Sequence, residues 1–151
     1  MKRVGIQLFG ETELVKRIGA GKRHYSHCIS IRNPGHPLPP EIKGAFHELL
    51  ELSFYDEEDV DQIPADAIEK RIPAMEDVKS VISFVRNVVK DPEFTGFTIH
   101  CWRGVSRSTA VALGILYMIS KDEERATKHL IKVRPESMPH TGIVRMFDSL
   151  F

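Results

Sequence analysis

With 151 residues, 42% apolar side chains and 28% charged ones, the chain has the size and balance of one globular domain able to bury a core. Its 21 basic and 21 acidic residues cancel, so no net field draws it to nucleic acid or to an anionic membrane, and any anion it binds must be held by local groups. The basic opening MKRVGIQLFGETE loses its apolar run too early for a signal peptide, and nothing later reaches the length of a membrane-spanning helix, so a cytoplasmic monomer is expected. There the two cysteines, Cys28 and Cys101, stay reduced; without a CxxC pair no structural zinc is expected, and His24, His27, His36 and His47 show no metal-ligand spacing.

In chain order, strand-like segments rich in β-branched or aromatic residues stand at RVGIQLF (3–9), HCISI (27–31), ELLELSFY (48–55) and FTIHC (97–101). The Pro-rich stretch NPGHPLPP (33–40) reads as a surface loop. Pro73 suits the first turn of a helix over 74–90, where Met75, Val78, Val81, Ile82, Val85, Val88 and Val89 recur at helical spacing. Three more helices are expected at about 107–120, 122–133 and 140–150, the second ending near Arg134 because Pro135 disfavours helical geometry in the residue before it. No repeat and no flexible linker interrupts this order. The expectation is an α/β fold: one domain over residues 1–151, with helices flanking a mainly parallel central sheet.

The chemistry concentrates in HCWRGVSRST, residues 100–109. If FTIHC is a central strand and RSTAVALGILYMI the helix after it, WRGVS is a tight loop at the carboxyl end of a strand, where open α/β sheets bind ligands. Such a loop turns the backbone N–H groups of Trp102, Arg103, Gly104, Val105 and Ser106 inward, and with the positive end of the helix dipole they form a cradle for phosphate. Gly104 allows torsions that a side chain forbids. Arg107 can grip two phosphate oxygens at once, which a lysine cannot. Helix N-termini and neighbouring cations also hold a thiol in its ionised, nucleophilic form, which makes Cys101 the candidate nucleophile. Glycine three places after a cysteine, arginine six after it and a hydroxyl next recur by chance about once in a few thousand cysteines. That frequency sets aside the plainer reading of a core cysteine beside a surface arginine.

The pattern HC-x-x-G-x-x-R-S resembles the phosphate-binding signature of cysteine-dependent protein tyrosine phosphatases, and GVSRST is most similar to their dual-specificity branch. Downstream, VRPESMPHTGIVRMFDSLF is similar to the Arg-Pro segment, second proline and closing helix of small dual-specificity members, and ISIRNP with LELSFYD resembles the upstream strands of compact bacterial ones. A nucleophile loop at residue 101 departs from the low-molecular-weight branch, which carries it near the N-terminus. His140 stands where relatives usually carry Asn.

The resemblance implies a phosphatase acting on phosphotyrosine, extending to phosphoserine and phosphothreonine, with no cofactor and no metal. Cys101 would form a phosphocysteine that water then hydrolyses. An aspartate after the strand preceding the long helix would protonate the leaving group and then take a proton from water. Here that position is Asp56, with Asp59 and Asp61 as alternatives in DEEDVD, and IPADAIEKRIP (63–73) would be a lid-like insertion. Ser108 would donate to the cysteine sulfur as it leaves. His100 faces away from Cys101 on the same strand, which speaks against a Cys–His protease; it is expected to be buried and to hydrogen-bond the loop from behind. Arg103 adds charge at the mouth, although a solvated side chain is the simpler reading. Phosphoinositides and RNA 5′-phosphates are alternative substrates. A non-catalytic phosphate-binding module and a rhodanese-type sulfurtransferase are alternative functions. Cys28 could trap an oxidised Cys101 as a disulfide.

Overall fold

Runs of buried β-branched and aromatic residues suit strands covered on both faces, and three of the four strands among the described residues are of this kind. The computed structural model describes residues 4–67 and 69–151; Arg3, expected to open the first strand, and Ile68 of the expected lid lie outside the described residues. The strands β1 (Ile6–Gly10), β2 (His27–Arg32), β3 (Glu48–Ser53) and β4 (Phe97–Cys101) form one parallel sheet in the order β1-β4-β2-β3. Strand β4 is central and buried along its whole length. Strand β3 is an edge, and its exposed Glu48 and Glu51 discourage pairing with another chain.

Parallel neighbours need crossover connections, and helices supply them. On one face α1 (Glu11–Gly19) and the short α2 (Pro40–Lys43) cover Phe9, Leu14, Cys28 and Ile42. On the other, α3 (Met75–Val88), α4 (Arg107–Ser120), α5 (Glu123–Val133) and α6 (Thr141–Leu150) enclose the main core around Ile29, Ile31, Phe97, Ile99 and Ile115. Helix α4 is apolar nearly all round and accordingly lies innermost, with α5 and α6 packed against it. At Gly114 a Cβ would stand 2.4 Å from the Phe147 ring, so glycine is what lets α6 approach. Helix α5 stops at Arg134, which is held at φ −143° and ψ 89° ahead of Pro135.

The sequence reading missed α1 and α2. Strand β1 runs into α1 without a connecting loop, so the apolar run of the strand masks the helical spacing of Leu14, Val15 and Ile18. The Gly10 N–H, donated to Glu13 Oε1 at 3.0 Å, marks the change of period. No helix among the described residues is long and apolar enough to cross a membrane.

Candidate active site

The WRGVS segment emerges from the sheet centre at Cys101 and enters α4 at Arg107. Each of its five carbonyls accepts a hydrogen bond from outside the loop. Trp102 O takes the Glu11 N–H at 3.1 Å, and Val105 O the Met138 N–H at 2.8 Å. Ser106 O takes the His140 N–H at 3.1 Å. Arg134 serves the two between them, with Nη2 on Arg103 O at 3.1 Å and Nε on Gly104 O at 3.2 Å. Arg134 is itself fixed by Glu13, whose Oε1 lies 2.9 Å from Nη1. In a trans peptide the N–H points opposite to its carbonyl, so a loop with all its carbonyls tied outward turns its N–H groups inward. The Gly104 N–H does so, pointing at Cys101 Sγ from 3.3 Å. Gly104 sits at φ +74°, and a Cβ there would meet Gly10 N at 2.6 Å; both facts require glycine.

Cys101 is recessed, only 2% exposed, at the floor of a cavity of about 420 Å³. Its burial follows from its place on β4, the strand covered on both faces. Its other sulfur contact is Ser108 Oγ at 3.1 Å. Arg107 is buried beside it, with Nη1 donating to Asn33 Oδ1 at 2.7 Å and to Phe54 O at 2.8 Å. Among the described residues Nε and Nη2 meet no protein acceptor, so one edge of the guanidinium stays available for an anion.

His100 is fully buried on the opposite face of β4 from Cys101. Its Nε2 pairs with Ser30 Oγ at 2.7 Å, and its Nδ1 lies 3.4 Å from Cys101 O. Burial pushes its pKa down to about 4, against the partial support of the Cys101 carbonyl. A neutral ring out of reach of the thiol cannot serve as its base.

Of the three candidate acids, Asp56 alone reaches the cavity wall. Its Oδ1 accepts the Ser106 hydroxyl at 2.5 Å. Asp59 instead caps a short 3₁₀ turn at Val60–Gln62, accepting the Asp61 N–H at 3.0 Å. Next to Asp56, the Glu57 carbonyl meets His140 Nε2 at 3.1 Å, while His140 Nδ1 accepts the Ile143 N–H at 3.2 Å to cap α6. His140 thus joins the acid segment to the last helix. None of the described residues of 63–73 lines the cavity. Arg71 holds that segment back, with Nη2 on Asp77 Oδ1 at 2.6 Å and Nη1 on the Ser53 carbonyl. The cavity rim comes instead from Tyr55, Asp56, Glu57, Arg103, and Met138 and Trp102, which are 73% and 56% exposed.

Cys28 belongs to the core on the α1 face, in register with Thr98 and three residues short of Cys101 along β4. Burial pushes its thiol pKa up. About 10 Å of strand and the sheet itself separate the two sulfurs, so the disulfide considered from the sequence has no path in the folded chain.

By sequence, no protein-family model and no curated protein matches this chain. By fold, the likeness is extensive. Tk-PTP in its active form superposes with a TM-score of 0.62 at 18% identity over 99% of this chain and 92% of that one. The human tyrosine phosphatase-like serine/threonine/tyrosine-interacting protein gives 0.62 at 18% identity over 97% and 90%, and human DUSP28 gives 0.61 at 16% over 95% and 89%. The chain has the dual-specificity phosphatase fold. Within that fold, sequence reasoning missed Glu13, Asn33 and the double role of Arg134. The Arg-Pro pair at 134–135 was visible, but only the folded chain shows which carbonyls the guanidinium reaches.

Proposed function

We propose that the protein is a cysteine-dependent phosphatase that hydrolyses phosphate monoesters of tyrosine, and of serine and threonine, in phosphorylated proteins. The observation that carries this reading is the loop whose five carbonyls are tied outward around a recessed sulfur, because it supplies preorganised donors where phosphoryl charge develops. The fold likeness agrees with it.

In the first step Cys101, as the thiolate, attacks phosphorus. The S–P bond forms as the bond from phosphorus to the leaving oxygen breaks, and Asp56 gives that oxygen its proton. The N–H groups of residues 103–106 and the free edge of Arg107 hold the three equatorial oxygens. In the second step water attacks phosphorus, the Asp56 carboxylate takes its proton, and the S–P bond breaks to return the thiolate. The Ser108 hydroxyl, 3.1 Å from Sγ, donates to the departing sulfur. His100 supports the loop through the Cys101 carbonyl and takes no proton. The Ser106–Asp56 bond keeps the acid over the same loop that holds the phosphate. No metal or cofactor enters either step.

The test is hydrolysis of p-nitrophenyl phosphate in EDTA, followed by a panel of phosphopeptides, phosphoinositides and 5′-triphosphorylated RNA. The reading expects metal-free turnover, competitive inhibition by vanadate, and preference for phosphopeptides. Vanadate binding without turnover would leave a phosphate-binding module. Preference for phosphoinositide or RNA would keep the chemistry and replace the substrate.

A further inference from the structure

The N-terminal edge of the sheet, opposite the Cys101 loop, carries a second cluster of chemically active side chains. His27 opens β2 and pairs in register with Glu48, which opens β3. His47 precedes Glu48, and Asp91 lies in the connection from α3 to β4. His27 is fully buried, yet its Nε2 faces two carboxylates, Glu48 Oε2 at 3.2 Å and Asp91 Oδ2 at 3.7 Å. His47 Nε2 reaches the same Asp91 oxygen at 3.2 Å.

We propose that His27, His47 and Asp91, with Glu48 beside them, form a binding site for a divalent transition-metal ion of the zinc class. The ligand atoms of His27, His47 and Asp91 lie within 4.8 Å of one another. A tetrahedral zinc with bonds of about 2.0–2.2 Å places its ligands about 3.4 Å apart, close to the 3.7 and 3.2 Å that separate Asp91 Oδ2 from His27 and His47, and the two imidazole nitrogens, within 4.8 Å of each other, would close the third edge on binding. Two neutral imidazoles and two carboxylates balance the charge of one divalent ion. Imidazole nitrogen selects zinc, cobalt or nickel over the oxygen-seeking magnesium and calcium.

The surrounding groups are arranged as an outer shell. His27 Nδ1 lies 2.7 Å from Ser26 Oγ, which is itself fixed by the Thr95 N–H at 2.8 Å. The Glu93 N–H holds Asp91 Oδ1 at 2.9 Å, which leaves Oδ2 for the ion. Such partners orient ligands and set the tautomer of a ligating histidine. Phe84 and Phe94 flank the His27 ring, while the side chains of His47 and Glu48 are 48% and 52% exposed and give an ion its way in. A metal here would staple the α3–β4 connection to the starts of β2 and β3. It would stand about 13 Å along the strands from Cys101, a structural clamp outside the phosphoryl chemistry.

The test uses the full chain carrying Cys101→Ser, which removes the cavity-facing thiol as a competing ligand. After stripping with EDTA, zinc chloride and cobalt chloride are titrated by calorimetry, thermal unfolding and visible absorption. One ion per chain is expected, with Tm raised by about 5–10 °C at a hundredfold excess over Kd. Cobalt should give four-coordinate d–d bands without thiolate charge transfer. His47→Gln and Asp91→Asn, each made in that background, should abolish the Tm response, while His36→Gln keeps it. His47→Gln in the otherwise unaltered chain should keep its phosphatase rate. No saturable binding, or binding that survives both His47→Gln and Asp91→Asn, would overturn the proposal.

Discussion

The loop from Cys101 to Arg107 and the segment around Asp56 face each other across one cavity and are held in different ways. From Trp102 to Ser106 every carbonyl has an external donor, and the loop is threaded between Gly10, Arg134 and the approach to α6. The segment from Tyr55 to Glu58 is held at its ends by Tyr55 N–H on Arg71 O and Glu58 N–H on Gln62 Oε1, and against the cavity by two contacts, Ser106–Asp56 and His140–Glu57. The difference suits the tasks we propose for them. Donors that stabilise developing charge must be in place before reaction, whereas a group that delivers one proton and recovers another has to follow the leaving oxygen and then the water. The proposed chemistry asks for rigidity in the loop and freedom in the acid.

The comparison breaks most visibly at the acid. Asp56→Asn should lower kcat about 10²–10⁴-fold on phosphotyrosine, the usual scale of general acid catalysis. The loss should shrink with an aryl phosphate whose phenol is already acidic, and the basic limb of the pH–rate profile should flatten. Asp59→Asn and Asp61→Asn should leave kcat near that of the parent. Loss of the basic limb at Asp59 or Asp61 instead would move the acid farther along the chain.

On the rigid side, Arg107→Lys keeps the charge and removes the fork, and should cost about 10²–10³-fold in kcat/KM, comparable to deleting a charge-stabilising donor. A rate near that of the parent would mean that another group grips the phosphate. Arg134→Gln should act through position alone, lowering kcat about tenfold as Arg103 and Gly104 lose their brace. Vanadate should then bind more weakly while the basic limb stays intact, a split that a loss of the acid would not produce.

The smallest effect concerns stability. His100 is held neutral in the folded chain down to about pH 4, against an ordinary value of 6.5. Between those pH values the unfolded chain binds a proton that the folded chain refuses. Stability is therefore lost as pH falls through that window, by up to about 3 kcal/mol. His100→Gln should be less stable near pH 7, for want of its Ser30 bond, yet show a shallower loss between pH 6.5 and 4 in chemical denaturation. Parallel pH profiles would remove burial of His100 from the account.

Much of this arrangement was readable before folding. FTIHC and RSTAVALGILYMI keep strand and helix periods so clearly that β4 and α4 lie where expected, and Pro135 stops α5 by restricting its neighbour. Helix α1 was hidden because it starts directly at the end of a strand, with Gly10 both closing β1 and capping the helix. The metal-like cluster was hidden for another reason. His27 and Asp91 are 64 positions apart and meet only because β2 and β4 are neighbours in the sheet, so no spacing along the chain could announce them. Arg134 shows the intermediate case, a residue noticed by its motif whose partners depend on β1, α1 and the loop coming together.

The central claim is a covalent one, and it can be examined directly by rapid acid quench of turnover followed by peptide mass spectrometry. With the acid disabled as Asp56→Asn, an activated aryl phosphate should form the intermediate faster than water removes it. The account predicts one phosphate on the peptide that contains Cys101, absent when Cys101→Ser is added. Turnover that continues with Cys101→Ser, or phosphate recovered on a histidine or on no peptide at all while product forms, would contradict it.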